Sequence, residues 1–147
     1  MRSCALTRSK AGLVPSHLPS EGLQPSGAAP ADIARCEQDA GVTFPNDYKA
    51  FLLHSNGYNS PVGRGYLSLL SIREFSFDNS GYELGDDMRG IFYIGSNGGP
   101  TAYGVDWSTG ALVYISVPFA PAKRREVRVL GTTLSEFVGA VAAREGW

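Results

Sequence analysis

Four groups of residues in this chain could do chemistry, and each also has a plainer structural reading. His54 is the one histidine beyond residue 30. As a general base it would need a nucleophile and an orienting partner at hand, and the sequence places none beside it. At the C-terminal end of a helix its imidazolium would meet the dipole favourably, so a structural or surface histidine is the expected role. Gly95-Ser96-Asn97-Gly98-Gly99-Pro100 suggests a phosphate-cradling loop. It lacks the Lys-Ser/Thr ending of a P-loop, and no helical pattern follows to aim its N-terminus at an anion. A tight connection between strands is the expectation there.

The stretch from Glu74 to Met88 carries Glu74, Asp78, Glu83, Asp86 and Asp87 with no basic residue. Asp78-Asn79-Ser80-Gly81 hints at oxygen ligands for calcium, but the EF-hand spacing and its closing glutamate are missing. A solvated acidic loop, a docking surface for a basic partner and a metal loop all stay open. Long loops on a rigid scaffold are where binding residues concentrate. Lys123-Arg124-Arg125, with Arg128 beyond, is the basic counterpart. Phosphate binding would call for more cations and interleaved stacking aromatics. A solvated face is the simpler reading, and Tyr103, Trp107 and Tyr114 read as packed strand positions.

Composition narrows the classes further. The chain has 147 residues, enough for one domain with a real core and too few for two ordinary ones. Its 43% hydrophobic and 18% charged content is that of a globular protein. A net charge of −1 argues against a nucleic-acid binder, which usually carries a basic excess. Cys4 and Cys36 make neither a disulfide framework nor a metal site. No apolar run reaches the roughly 18 residues of a membrane span, and the N-terminus lacks a secretory apolar stretch. The cytoplasm is the expected location, with no membrane or nucleic-acid partner and no cofactor.

The elements that must position these residues follow from periodicity and punctuation. Residues 1–29 are rich in Ser, Pro, Gly and Ala and are expected to form a poorly ordered tail. Residues 30–147 are expected to form a single domain. Ile33, Cys36, Glu37 and Ala40 give a thin helical stripe that Gly41 stops. Pro45 suits the first turn of a second helix over about 46–55, whose Tyr48, Phe51, Leu52 and Ser55 share a face. A Gly- and Pro-containing loop over 56–65 leads to a strand at 66–70, then a capping box at Ser71–Glu74. Strands are expected at 91–94, 101–107, 111–117 and 127–130. Thr133–Glu136 forms a second capping box, opening a helix with Leu134, Phe137, Val138 and Val141 on one face. Segregated helices and strands predict an α+β fold: two N-terminal helices, a mostly antiparallel sheet of about 4–5 strands, and a C-terminal helix packed on it.

Gly41, Phe44-Pro45, Asp47-Tyr48, Phe51-Leu52 and Asn56-Gly57, in that order and spacing, resemble the opening of the SUKH superfamily. This is the Smi/Knr-type domain of fungal cell-wall regulators and bacterial immunity proteins. Gly95 to Gly99, Tyr103, Asp106, Gly110 and the closing Leu134, Phe137 and Val138 extend the likeness over about residues 30–145. Phe44 stands where the family usually has leucine, and Tyr58 where it commonly has a second glycine. The resemblance implies no enzymatic activity and no cofactor. It implies a protein-binding module, most concretely an immunity protein that neutralises a cognate toxin, such as a nuclease with a basic surface. The alternative it leaves is a scaffold or regulator with no toxin partner. The motif residues have structural explanations, so partner contacts are expected in loops the pattern does not fix, at residues 58–65, 74–89 and 118–126. Tyr58, Asp78, Glu83, Asp86 and Asp87 are the candidates.

Overall fold

The computed structural model describes residues 18–24, 26–75, 88–120 and 122–144. Helix α1 spans Pro30–Ala40, with proline in its first turn, and buries Ile33 and Cys36. Gly41 ends it at φ 70°, a left-handed conformation that suits glycine. Helix α2 spans Asn46–His54 and buries Tyr48, Phe51 and Leu52. Pro45 sits just before it, extended at φ −57°, with its carbonyl accepting the Lys49 N–H at 3.0 Å.

Six strands follow: β1 (Tyr58–Val62), β2 (Gly65–Leu69), β3 (Ile91–Ser96), β4 (Thr101–Asp106), β5 (Val113–Pro118) and β6 (Arg128–Gly131). They pair antiparallel in sequence order, β1-β2-β3-β4-β5-β6. Register shifts between Tyr93 and Gly95 and between Tyr114 and Ile115 bend and twist the sheet. The fold is α+β as expected, with one strand more than the upper count. The extra strand is β1, in a stretch read as loop because of its Asn-Ser-Pro composition. Pro61 is tolerated there because β1 is the edge strand and a missing N–H costs little.

Helix α3 spans Leu134–Ala142 and closes the core. Thr133 accepts the Glu136 N–H at 3.1 Å. Glu136 reaches back to the Thr132 N–H at 2.8 Å, one residue earlier than the usual capping box. At the other end the Ala142 carbonyl accepts the Arg64 N–H at 2.7 Å from the β1–β2 turn. A side chain on Gly63 in that turn would collide with Ala142.

The sheet is apolar on both faces. The larger cluster joins Phe44, Tyr48, Phe51 and Leu52 to Leu67, Phe92, Ile94, Tyr103, Val105 and Tyr114, with Phe137, Val138 and Val141 from α3. The smaller one, on the opposite face, joins Met88, Ile91, Tyr93, Ala102, Ile115 and Val117. Phe119, Ala122 and Val127 pack onto it, so the chain between β5 and β6 folds back over that face. The expected alternation along β4 holds, with Tyr103 and Val105 in one cluster and Ala102 in the other. Trp107, expected on a packed face, lies just past β4 and is 44% exposed.

Residues 18–24 and 26–29 correct the expectation of a disordered tail through residue 29; residues 1–17 lie outside the described residues. Leu18 and Ala28 are buried, and Leu23 bridges Tyr58 on the edge of β1. The Ala28 N–H donates to Leu52 O at 2.7 Å, and the Asn56 N–H to Ser26 O at 3.1 Å. Polar composition misled here because this segment is held through backbone groups and needs few apolar side chains. Deleting residues 1–29 should therefore cost about 2–3 kcal/mol from lost hydrogen bonds and the uncovering of Leu18's contacts. Thermal melting of the truncated chain against the full one measures it; an unchanged midpoint would contradict the packing.

Candidate functional site

The polar residues of the 41–58 motif bond at long range. The Tyr114 hydroxyl donates to Asp47 Oδ1 at 2.6 Å, and the Leu134 N–H donates to Asp47 Oδ2 at 2.6 Å. One carboxylate in the first turn of α2 thus holds β5 and satisfies a free N–H at the start of α3. Burial, reinforced by the hydrogen bond to Asp47 and its charge, pushes the Tyr114 hydroxyl far above the usual phenol range. Tyr114 is therefore a fixed donor and not an acid available for catalysis. Sequence spacing carries no sign of this clamp, because its partners lie 67 and 87 residues away.

Asn56 plays the same part for the next element. Its Oδ1 accepts the Ile72 N–H at 2.9 Å, capping the helical turn over 72–75. Within that turn Ser71 and Glu74 form the expected reciprocal box: Ser71 N–H to Glu74 Oε1 at 2.9 Å, and Glu74 N–H to Ser71 Oγ at 3.1 Å. Gly57 sits at φ +105°, where a Cβ would lie 3.1 Å from Leu69 O, so Asn56-Gly57 needs both residues for different reasons. The Ser55 hydroxyl is equally committed: it accepts the Gln24 N–H at 2.7 Å and donates to Gly57 O at 2.6 Å.

These contacts frame a polar cleft of about 520 Å³ between the N-terminal segment, the β1–β2 pair and the 71–74 turn. Gln24, Asn59, Ser68, Arg73 and Glu74 are among its lining residues. A second cleft of about 540 Å³, toward α1, shares Asn56 and Arg73 with the first. Asn59 lies in the 58–65 loop where partner contacts were expected, while Gln24, Ser68 and Arg73 were not singled out from sequence, since nothing in their spacing marks a common surface.

Of the expected contact residues, Tyr58 borders the first cleft but is only 2% exposed. Its hydroxyl donates to Pro19 O at 2.7 Å, and Gly22 lies against its ring. The side chain holds the N-terminal segment and is not presented to a partner; the expectation failed because that segment was read as tail. Asp78, Glu83, Asp86 and Asp87 lie outside the described residues. The two ends of their segment are placed, however. Phe75 is buried in the larger cluster, with its ring 5.0 Å from that of Phe44, and Met88 is buried in the smaller cluster on the opposite face. The residues that flank the acidic segment, Phe75 and Met88, are thus both buried, and Glu74, just before Phe75, lines the first cleft.

The glycine-rich loop connects β3 and β4, and side chains of the loop itself take its N–H groups. Gly98 N–H donates to Ser96 Oγ at 3.1 Å, and Gly99 and Thr101 N–H donate to Asn97 Oδ1 at 2.9 and 3.2 Å. Those groups are not turned outward to cradle a phosphate. His54 closes α2, half-buried. Among the described residues no three His, Cys, Asp or Glu side chains are grouped to hold a metal ion. No helix among them is long and apolar enough to cross a membrane.

The profile of the SMI1/KNR4 family (SUKH-1) matches residues 27–140. The chain belongs to this family. Asp47 and Asn56, which helped carry the resemblance, are in this SUKH domain the residues that tie α2 to β5 and α3 and cap the 72–75 turn. The match begins at residue 27, where the chain enters the backbone contacts with α2. The domain is also 44% identical over 68 residues to the uncharacterized protein YnaB of Bacillus subtilis (strain 168). That likeness covers 46% of this chain and 43% of YnaB, so less than half of the relative is spanned.

Proposed function

We propose that this SUKH domain is a non-enzymatic protein-binding module, an immunity protein that binds and neutralises a cognate toxin in the cytoplasm. The observation that supports it is how the family's polar residues are used. Asp47, Asn56, Ser55 and Asn97 accept or donate within the scaffold, which leaves recognition to surfaces the motif does not fix. The acidic segment, whose flanking residues Phe75 and Met88 are buried, is the docking element this reading favours. A nuclease toxin carries a positive surface to hold its substrate. An acidic face would speed association with it and cover the substrate site.

The test replaces Asp78, Glu83, Asp86 and Asp87 together with Asn or Gln, which keeps shape and removes four negative charges. The variant should fold normally, since surface changes of this kind seldom cost more than about 0.5 kcal/mol. It is co-expressed with the product of the neighbouring gene, the candidate toxin, and association kinetics are measured at low and high salt. The expected result is lost protection and an association rate reduced about tenfold or more at low salt, the gap closing as salt screens it. A folded variant that protects and associates like wild type would remove the acidic segment from the interface. Absence of any binding between the wild-type chain and the toxin would reject the immunity role itself.

A further inference from the structure

The outer edge of β1 already holds a short peptide, which is the chain's own residues 18–24. Leu23 bridges Tyr58 antiparallel, as an added strand would. The Tyr58 hydroxyl donates to Pro19 O at 2.7 Å, and the Gln24 N–H donates to Ser55 Oγ at 2.7 Å. Just downstream, the Asn56 N–H donates to Ser26 O at 3.1 Å. Each of these bonds uses a backbone N–H or C=O of the segment, groups that any extended peptide could offer. The side chains add three requirements. Leu18 is buried in the larger cluster, and Leu23 packs partly buried against it. Gly22 is buried too, where a Cβ would collide with the Tyr58 ring and Ser60 Cβ.

The receiving groups belong to the family domain and the segment does not. Ser55, Asn56, Tyr58 and Ser60 fall inside the match at 27–140, while residues 18–24 precede it. Tyr58, standing where the family commonly has glycine, supplies both the ring and the hydroxyl that hold the segment. Farther along β1, Pro61 has no N–H to offer a further partner, which favours the Tyr58 end of this edge. The polar cleft opens beside the same end, with Gln24, Tyr58 and Asn59 among its lining residues. It leaves space for a peptide longer than the segment itself.

We propose that the Tyr58 end of β1 is a docking seat for an extended segment of a partner protein, one that carries a glycine among leucine-like side chains. Residues 18–24 are then a strap that fills this seat in cis until such a segment displaces it. Recognition is by strand addition: the backbone bonds give affinity, and the glycine required against Tyr58 gives selectivity. Tethering makes the strap an intramolecular competitor, so the seat excludes weakly binding peptides and Tyr58 stays hidden while the strap is seated. The seat uses residues other than the acidic segment, so its failure would leave the immunity reading untouched.

The probe is a fluorescein-labelled synthetic peptide with the sequence of residues 18–26, titrated into the full chain and followed by fluorescence anisotropy. Gly22→Val should push the strap off its own seat. That variant should bind the peptide saturably and at least about tenfold more tightly than wild type, whose strap competes. Gly22→Ala is the milder change should the valine variant fail to fold, and its affinity should fall between the two. Adding Tyr58→Phe to either variant removes the hydroxyl donor and should weaken binding about threefold or more. A peptide that itself carries Gly22→Val should not bind. Sedimentation should find the strap-released chain monomeric before peptide is added. The proposal is overturned if folded Gly22 variants bind the peptide no better than wild type, or if Tyr58→Phe or the valine-bearing peptide leaves binding unchanged. It is overturned equally if the released chain dimerises, since the seat would then serve a second copy.

Discussion

Replacing Asp47 with alanine should destabilise the domain by about 3–5 kcal/mol. Hydrogen bonds to a charged group contribute about 1.5–3 kcal/mol each, and Asp47 accepts two, from Tyr114 and from Leu134. Both donors lie in well-packed surroundings: Tyr114 is buried, and Leu134 sits at the start of α3. Truncation leaves a phenol and a helix N–H without their acceptor. Asp47→Asn keeps one carbonyl oxygen and should cost less, about 1–3 kcal/mol. Tyr114→Phe removes one of the two bonds and should cost about 1–2 kcal/mol. In a double-mutant cycle, Asp47→Ala with Tyr114→Phe should cost clearly less than the two singles added, because they share an interaction. Denaturant unfolding of the four proteins gives the values. An Asp47→Ala protein within about 0.5 kcal/mol of wild type would show that the clamp does not hold α2, β5 and α3 together.

The clamp also marks where sequence reasoning stops. Local signals were legible: Gly41 ends α1, and Ser71–Glu74 closes a reciprocal box. The periodicity of residues 134–141 also buries the expected face of α3. Each of these depends on neighbours within four residues. What escaped depends on distant partners. Pro61 and the polar residues around it read as loop, yet pairing with Tyr66 and its neighbours makes them an edge strand. Ser20 to Gln24 offer little to bury, yet backbone contacts to Tyr58 and Ser55 seat them. Trp107 follows an alternating strand, but the strand ends at Asp106, where Ser108 and Arg124 capture the carboxylate. Of the candidate site, the acidic segment was visible as composition. The polar cleft was not, because Gln24, Ser68 and Arg73 come from three separate stretches of chain.

Phe44→Ala should be comparably damaging, at about 3–5 kcal/mol, because it opens a cavity among rigid rings. Phe44 is 1% exposed and sits between α1 and α2, its N–H donating to Glu37 Oε2 at 2.8 Å. Its ring meets Tyr48 edge-on at 5.3 Å and Phe75 at 5.0 Å, and Phe92 at a tilt at 5.6 Å. Phe75 meets Phe92 edge-on as well, at 5.7 Å. Such pairs add about 0.5–1.5 kcal/mol each beyond buried area. The leucine usual in this family would fill much of the volume but forfeit the ring contacts, so Phe44→Leu should cost about 1–2 kcal/mol. The consequence reaches the proposed interface, because Phe75 is the buried residue from which the acidic segment departs. Loosening its packing should raise hydrogen exchange at the Phe75 amide, which donates to Ser71 O at 2.8 Å, more than at amides in the centre of β4. If Phe44→Leu is as stable as wild type and Phe75 exchange does not change, the ring cluster does not fix the root of the segment. Its position would then rest on Asn56 and the Ser71–Glu74 box alone.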